Sequence, residues 1–215
     1  MASCALGCWI LTMLTILKAA TSTRHAALEQ RLPLLDADLS RTTYRHYVQR
    51  LFGFYDPLET QLLALPWWGA VGIDYVQRRK TPRLRYDLQC LGDTEASLAA
   101  LPRCAELPPM TSPAQLWGCL YVIEGATLGG QIIIKKLNLS LGLTAASGAS
   151  FFDGYGAQTG SRWKAFCAAV PEEDVDAHGG AEAMLHSANL TFDVFSDWLF
   201  PGSVTTQGRA FSEAD

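Results

Sequence analysis

Residues 116–137, LWGCLYVIEGATLGGQIIIKKL, repeat apolar side chains at helical spacing, yet Gly125, Gly129 and Gly130 fall within six positions of one another. A helix this apolar must be buried among other helices, and each interior glycine costs it about 1 kcal/mol relative to alanine. Two physical reasons for accepting that cost stand open. Glycines four apart lay a strip without Cβ atoms along one side of the helix, where something flat can approach the backbone. The same strip lets a second helix pack closely. The third glycine and the polar GAT beside it tilt the balance slightly toward a ligand.

The rest of the chain reads as helix after helix, which makes the fold class all-α. A first helix spans about Trp9 to Arg31 and stops before Pro33. Trp9, Met13, Ile16, Leu17 and Ala20 share its inward face. Ser40 caps a second helix through Leu65, with Tyr44, Tyr47, Val48, Leu51 and Phe54 inward and Pro57 kinking it. A third runs from Trp67 to Arg79 and ends at Pro82. RLRYDLQCLG is a short helix capped by Gly92, and Thr94 starts another. A Pro-rich loop, LPRCAELPPMTSP, leads into the glycine-bearing helix, and a Gly-rich connector follows it. Helices over 161–170 and 181–199 complete one domain spanning 13–200, between a 1–12 extension and a loose 201–215 tail.

Composition narrows the class of function. The 215 residues are 49% apolar and 18% charged, enough for a well-buried core. The net charge of −4, with no run of like charges, speaks against nucleic acid. Cys4, Cys8, Cys90, Cys104, Cys119 and Cys167 form no CxxC, and two of them lie in apolar helical pattern. A reducing, cytoplasmic setting is expected. The N-terminal apolar run lacks a basic residue before Lys18 and is short for a bilayer, so neither a secretory peptide nor a membrane span is expected. Met13 is an alternative start.

The first helix carries one chemical candidate. His25 and Glu29 stand four apart and share a face. A carboxylate at one imidazole nitrogen fixes the tautomer and raises the basicity of the other, which suits a metal ligand. Lys18 lies two turns earlier on that face. An exposed His–Glu pair on a surface helix is the plainer reading. His46, His178 and His186 show no metal-ligand spacing and read as surface or partly satisfied residues. Asp93–Glu95 and Glu172–Glu173–Asp174 read as helix-start or loop acids. No phosphate loop, dinucleotide fingerprint or serine-hydrolase elbow is present.

LKAATSTRHAALE, followed about a hundred residues later by LYVIEGATLGGQII, resembles the heme oxygenase family, and most of all its bacterial, biliverdin-producing branch found beside bacteriophytochromes. RLRYDLQCLG and FFDGYGAQTGSRWKAF extend the resemblance over roughly residues 13–200. It implies a multihelical bundle with heme sandwiched between a proximal helix and a kinked, glycine-rich distal helix. Carried over, His25 is the proximal ligand of heme iron with Glu29 as its partner. Gly125 and Gly129, with Gly130 beside them, cover the other heme face. Mammalian members carry an aspartate one residue after the first distal glycine, where this chain has Ala126. The bacterial EGST reads EGAT here, with one hydroxyl fewer.

The resemblance implies oxidative opening of heme, which is substrate and cofactor together, to biliverdin, carbon monoxide and ferrous iron. O2 and external electrons from a reductase or ferredoxin are required, since the chain has no flavin or iron–sulfur motif. A histidine ligand avoids the strong electron push of a thiolate. A glycine wall offers no acid–base side chain and leaves oxidation to fall on the ring edge. Lys18 is the first cation expected at the heme propionates, followed by Arg162 and Lys164. The resemblance also implies a bacteriophytochrome as acceptor of the product. Alternatives are a heme-binding or trafficking protein of the same fold, a di-iron or thiaminase-like relative, and a structural all-α protein.

Overall fold

The computed structural model describes residues 3–170 and 180–202, with side chains from Met13 onward except that of Ala70. The side chains of Cys4, Cys8 and Trp9 are not described, and the expectations for His178, the Glu172–Asp174 acids and the end of the tail lie outside the described residues. Among the described residues every regular element is helical: α1 (Ser3–Glu29), α2 (Arg41–Leu63), α3 (Trp68–Val71), α4 (Thr81–Cys90), α5 (Glu95–Ala100), α6 (Pro113–Leu141), α7 (Ser150–Asp153), α8 (Thr159–Ala169) and α9 (Gly180–Leu199). Short 3-10 turns at 33–35, 75–78 and 156–158 join them.

The glycine-bearing helix is α6, and it runs unbroken through Gly125, Gly129 and Gly130. Its length and apolarity would suffice to cross a membrane. Here Leu116, Trp117, Cys119, Leu120 and Ile123 are instead buried against other helices. The most extensive partner is α9, which also packs on α1 and α2. The approach is closest at Gly118, where a Cβ would lie 2.2 Å from the Met184 carbonyl and 2.9 Å from the Ala188 nitrogen. Helix-on-helix packing is therefore the work of Gly118, about three turns before the end of the glycine strip.

Local chemistry explains where elements stop. Ser40 accepts from the Thr43 amide and starts α2, whose five expected inward residues are all buried. Pro57 sits inside α2 without breaking it. Proline has no N–H for the carbonyl four residues back, and that carbonyl, on Gly53, accepts instead from the Cys104 amide at 2.9 Å. Gly92, at φ +97°, closes α4 with the Asp93 amide on the Leu88 carbonyl. Thr94 and Ser97 form a capping box at α5.

Three expectations fail. The continuous third helix is two pieces, because Gly72 at φ +67° ends α3 and Asp74 caps a separate 3-10 turn. Pro82 does not terminate anything. It occupies the first turn of α4, where a missing N–H costs nothing. On α1, Met13 and Leu17 are buried but Ile16 is 44% exposed and Ala20 is exposed too, so the inward face is set by 13, 17 and 21. The Gly-rich connector also hides α7, since Asp87 accepts from the Ser150 and Phe151 amides at 2.7 and 2.8 Å and so caps that turn.

Asp87 is fully buried and uses both oxygens as acceptors. Replacing it by asparagine turns one acceptor into a donor facing an N–H, and Asp87→Asn is expected to cost about 2 kcal/mol in urea titrations. Asp93 joins α2 to the start of α5 through a forked pair with Arg45 at 2.7 and 2.9 Å. The Arg45 hydrogen bond holds the Asp93 carboxyl below its ordinary value. A depressed folded value stabilises above the unfolded one, about 4, and the benefit is lost as pH falls through the folded value. Arg45→Met should therefore be less stable near neutrality and converge on the parent in acid. A gap that stays constant through the acid range would contradict this origin.

Candidate functional site

His25 lies one turn past buried Thr21 and three residues before half-buried Leu28, on the side of α1 turned toward the bundle. A residue so placed is ordinarily covered. Its side chain nevertheless stays 57% exposed, with Nδ1 3.5 Å from Glu29 Oε2 and its ring edge on Phe192 of α9 (centroids 6.0 Å apart). Lys18, Ser22 and Glu29 extend the same exposed face. On its other flank α1 is strapped to α9: Arg24 donates to Asp193 and Asn189 at 2.7 and 3.1 Å, and Arg31 to Ser196 at 2.9 Å. The straps fix the helix while leaving His25 uncovered.

The middle of α6 presents a matching open face. A Cβ on Gly129 would meet nothing within 4 Å, and one on Gly125 would meet only the Trp163 ring, at 3.7 Å. Around them Leu128 is 41% and Ile132 69% exposed, and Ala126 is exposed as well. Apolar side chains left in the open beside a bare backbone form a surface suited to a flat apolar ligand. Gly130 differs. A Cβ there would lie 2.6 Å from the Phe152 carbonyl, so this glycine admits α7 rather than a ligand.

The two faces belong to one region of the molecule. Tyr121 on α6 neighbours the Thr21 side chain on α1, which partly offsets the upward push of burial on its phenol. α9 underlies both helices. Of the expected cations, Lys18 and Lys164 are exposed. Arg162 turns to the Gln77 carbonyl at 3.3 Å and stacks over the Tyr155 ring at 4.8 Å. It lines a shallow cavity of about 240 Å³ with Arg83, Ser150 and Asp153, which His25 does not share. His46 and His186 are both exposed. Cys119, wholly buried on α6, has its thiol pushed up to about 12 by burial, with a Thr191 hydrogen bond opposing.

Sequence reasoning missed a buried charge cluster directly behind the glycine strip. Glu124, 1% exposed, accepts from Arg78 at 2.5 Å, from the Lys80 ammonium, and from the Tyr155 hydroxyl at 3.0 Å. Lys80 also donates to Tyr155 at 3.1 Å. Next to it, Glu59 takes the Lys80 and Thr81 amides and the Tyr75 hydroxyl. Burial pulls the Lys80 ammonium below its ordinary value against the attraction of Glu124. Burial and then Glu124 push the Tyr155 phenol up. The signal available was a lone carboxylate at an interior position of an apolar helix, since such a group is buried only when paired.

The glycines separate in a stability experiment. Gly129→Ala fills open space with a better helix former and should raise stability by up to about 1 kcal/mol. Gly130→Ala should cost about 1–3 kcal/mol through overpacking on Phe152. Thermal or urea unfolding of the two variants checks the ordering.

The family model described as heme oxygenase matches residues 11–200. A protein named heme oxygenase from Xanthomonas campestris pv. campestris (strain 8004) is 40% identical over 103 residues, which cover 48% of this chain and 55% of that relative. The matched stretch thus spans about half the length of the curated relative. The structure of heme oxygenase from Leptospira interrogans superposes with a TM-score of 0.68 at 19% identity, covering 87% of this chain and 98% of that one.

Proposed function

The chain belongs to the heme oxygenase family, and we propose that it is itself a heme oxygenase, of the bacterial type, opening heme to biliverdin with release of carbon monoxide and ferrous iron. The observation that carries the reading is an inward-turned histidine left 57% exposed, in the same region as a glycine strip with Leu128 and Ile132 in the open. A porphyrin needs a flat slot with apolar walls and one imidazole, and these residues supply that chemistry.

In this reading His25 binds iron through Nε2, because Nδ1 is the nitrogen that faces Glu29. Glu29 sets the tautomer. Heme, when bound, supplies both the iron at which oxygen is activated and the ring that is cleaved. Gly125 and Gly129 would let the backbone of α6 approach the bound ring, and Leu128 and Ile132 would help exclude water from it. Ala126 offers no proton and no hydrogen bond, so orientation at that face rests on backbone and packing. Exposed Lys18 and Lys164 are the side chains suited to the propionates. Arg162, committed to Gln77 and Tyr155, would have to leave those partners to join them.

Electrons come from a reductase or ferredoxin in this reading, and a bacteriophytochrome consumes the product. A reducing, cytoplasmic setting belongs to the same reading. It is supported by Cys90, Cys104, Cys119 and Cys167 being free thiols.

Purified protein given hemin, O2 and a reductant should turn green, with chromatography identifying a biliverdin isomer. A stable Soret complex without bilin would make it a heme carrier instead. His25→Ala should lose the histidine-ligated spectrum and weaken turnover by at least about 100-fold. An unchanged spectrum would overturn the ligand assignment.

A further inference from the structure

A helix whose functional side is glycine has no side chains there to key its rotation. The setting must come from its other flanks. Rotating an α-helix by about 10° moves its backbone atoms by about 0.4 Å, given a radius of about 2.3 Å. Binding sites tolerate displacements of about 0.5 Å. Between residues 124 and 131 the flanking ties of α6 are specific. Glu124, immediately before Gly125, is gripped by Arg78, Lys80 and Tyr155. Gln131 donates to the Asp153 carbonyl at 2.7 Å, and Gly130 lies against Phe152. Opposite these, Gly129 meets nothing.

We propose that Glu124 is a positioning residue for the heme chemistry: clamped by Arg78, Lys80 and Tyr155, it sets the rotation of α6 and so the height of the Gly125–Gly129 strip over the ring. The proposal rests on the function proposed above. It explains why a carboxylate occupies an apolar helix at the one step before the strip begins. A buried ion pair is poor value as pure stabilisation, since well-packed apolar residues do as well or better. Its advantage over them is direction. Three donors from two separate segments converge on two oxygens, and that arrangement admits a single helix rotation where an apolar contact admits several.

Tyr155 is the handle for a test, because Tyr155→Phe removes one donor from the clamp and leaves both ion pairs. Glu124→Gln is the stronger variant. Three measurements apply to the full chain: amide hydrogen exchange over 125–132 without hemin, the C–O stretch of the ferrous carbon monoxide complex, and the distribution of bilin isomers after turnover. Tyr155→Phe should keep hemin affinity within about twofold while speeding exchange over 125–132 by about tenfold, the value of one hydrogen bond. It should also shift the C–O stretch and the isomer distribution, and Glu124→Gln should do both more strongly. A variant that is merely less stable, with parental exchange in that segment relative to the rest and parental isomers, overturns the proposal. Should Glu124→Gln fail to fold, Tyr155→Phe decides alone. If the parent binds hemin but makes no bilin, the proposed function has failed while exchange and the C–O stretch still judge the clamp; if it binds no hemin, exchange judges it.

Discussion

The contact on which the architecture depends is backbone against backbone, at Gly118. With no Cβ between them, α6 and α9 approach until the Met184 carbonyl occupies the space a side chain would need. Ser187 then reaches the Gln115 carbonyl at 2.7 Å and locks the pair in register. Because α9 lies so close to α6 and also carries α1 through Arg24 and Arg31, it fixes both walls of the site to a common base. The open faces are then defined by what α9 does not cover. His25 stays uncovered over Phe192, and Gly125 and Gly129 stay uncovered on the side away from the clamp.

Much of this was legible in sequence because it depends on local rules. Caps at Ser40, Thr94 and Gly92 follow from side-chain and backbone chemistry within a few residues, and the inward face of α2 follows from spacing alone. The His25–Glu29 pair and the glycine strip were visible for the same reason. Errors arose where a distant partner overrides the local pattern. Ile16 reads as core on a helical wheel, but the neighbours of α1 close over only one side of it. The stretch after Trp67 reads as a continuous helix until Gly72 adopts a left-handed conformation, which sequence allows without requiring. α7 exists because Asp87, far away in sequence, caps it.

The glycines show the same limit inside the site. All three cost the helix alike, so propensity cannot tell them apart. Only the neighbours do: open space at Gly129, an indole edge at Gly125, the Phe152 carbonyl at Gly130. Likewise the basic residues 78–80 look like an ordinary solvated run beside the 3-10 turn. Folded, Arg78 and Lys80 are interior cations whose counter-charge arrives from another helix. Pairing across more than forty residues leaves no periodicity to read.

Cys119 lends the molecule chemical durability. Burial pushes its thiol up and so disfavours the thiolate, the form that reacts with peroxides. A protein proposed to handle iron and oxygen together leaks oxidants whenever electrons and substrate fall out of step. The sulfur deepest in its central helix is the one least able to scavenge them, and sulfenic or sulfinic acid there would place a polar group against Thr191 and α9. A thiol kept protonated at that position leaves the spacing of α6 and α9 undisturbed.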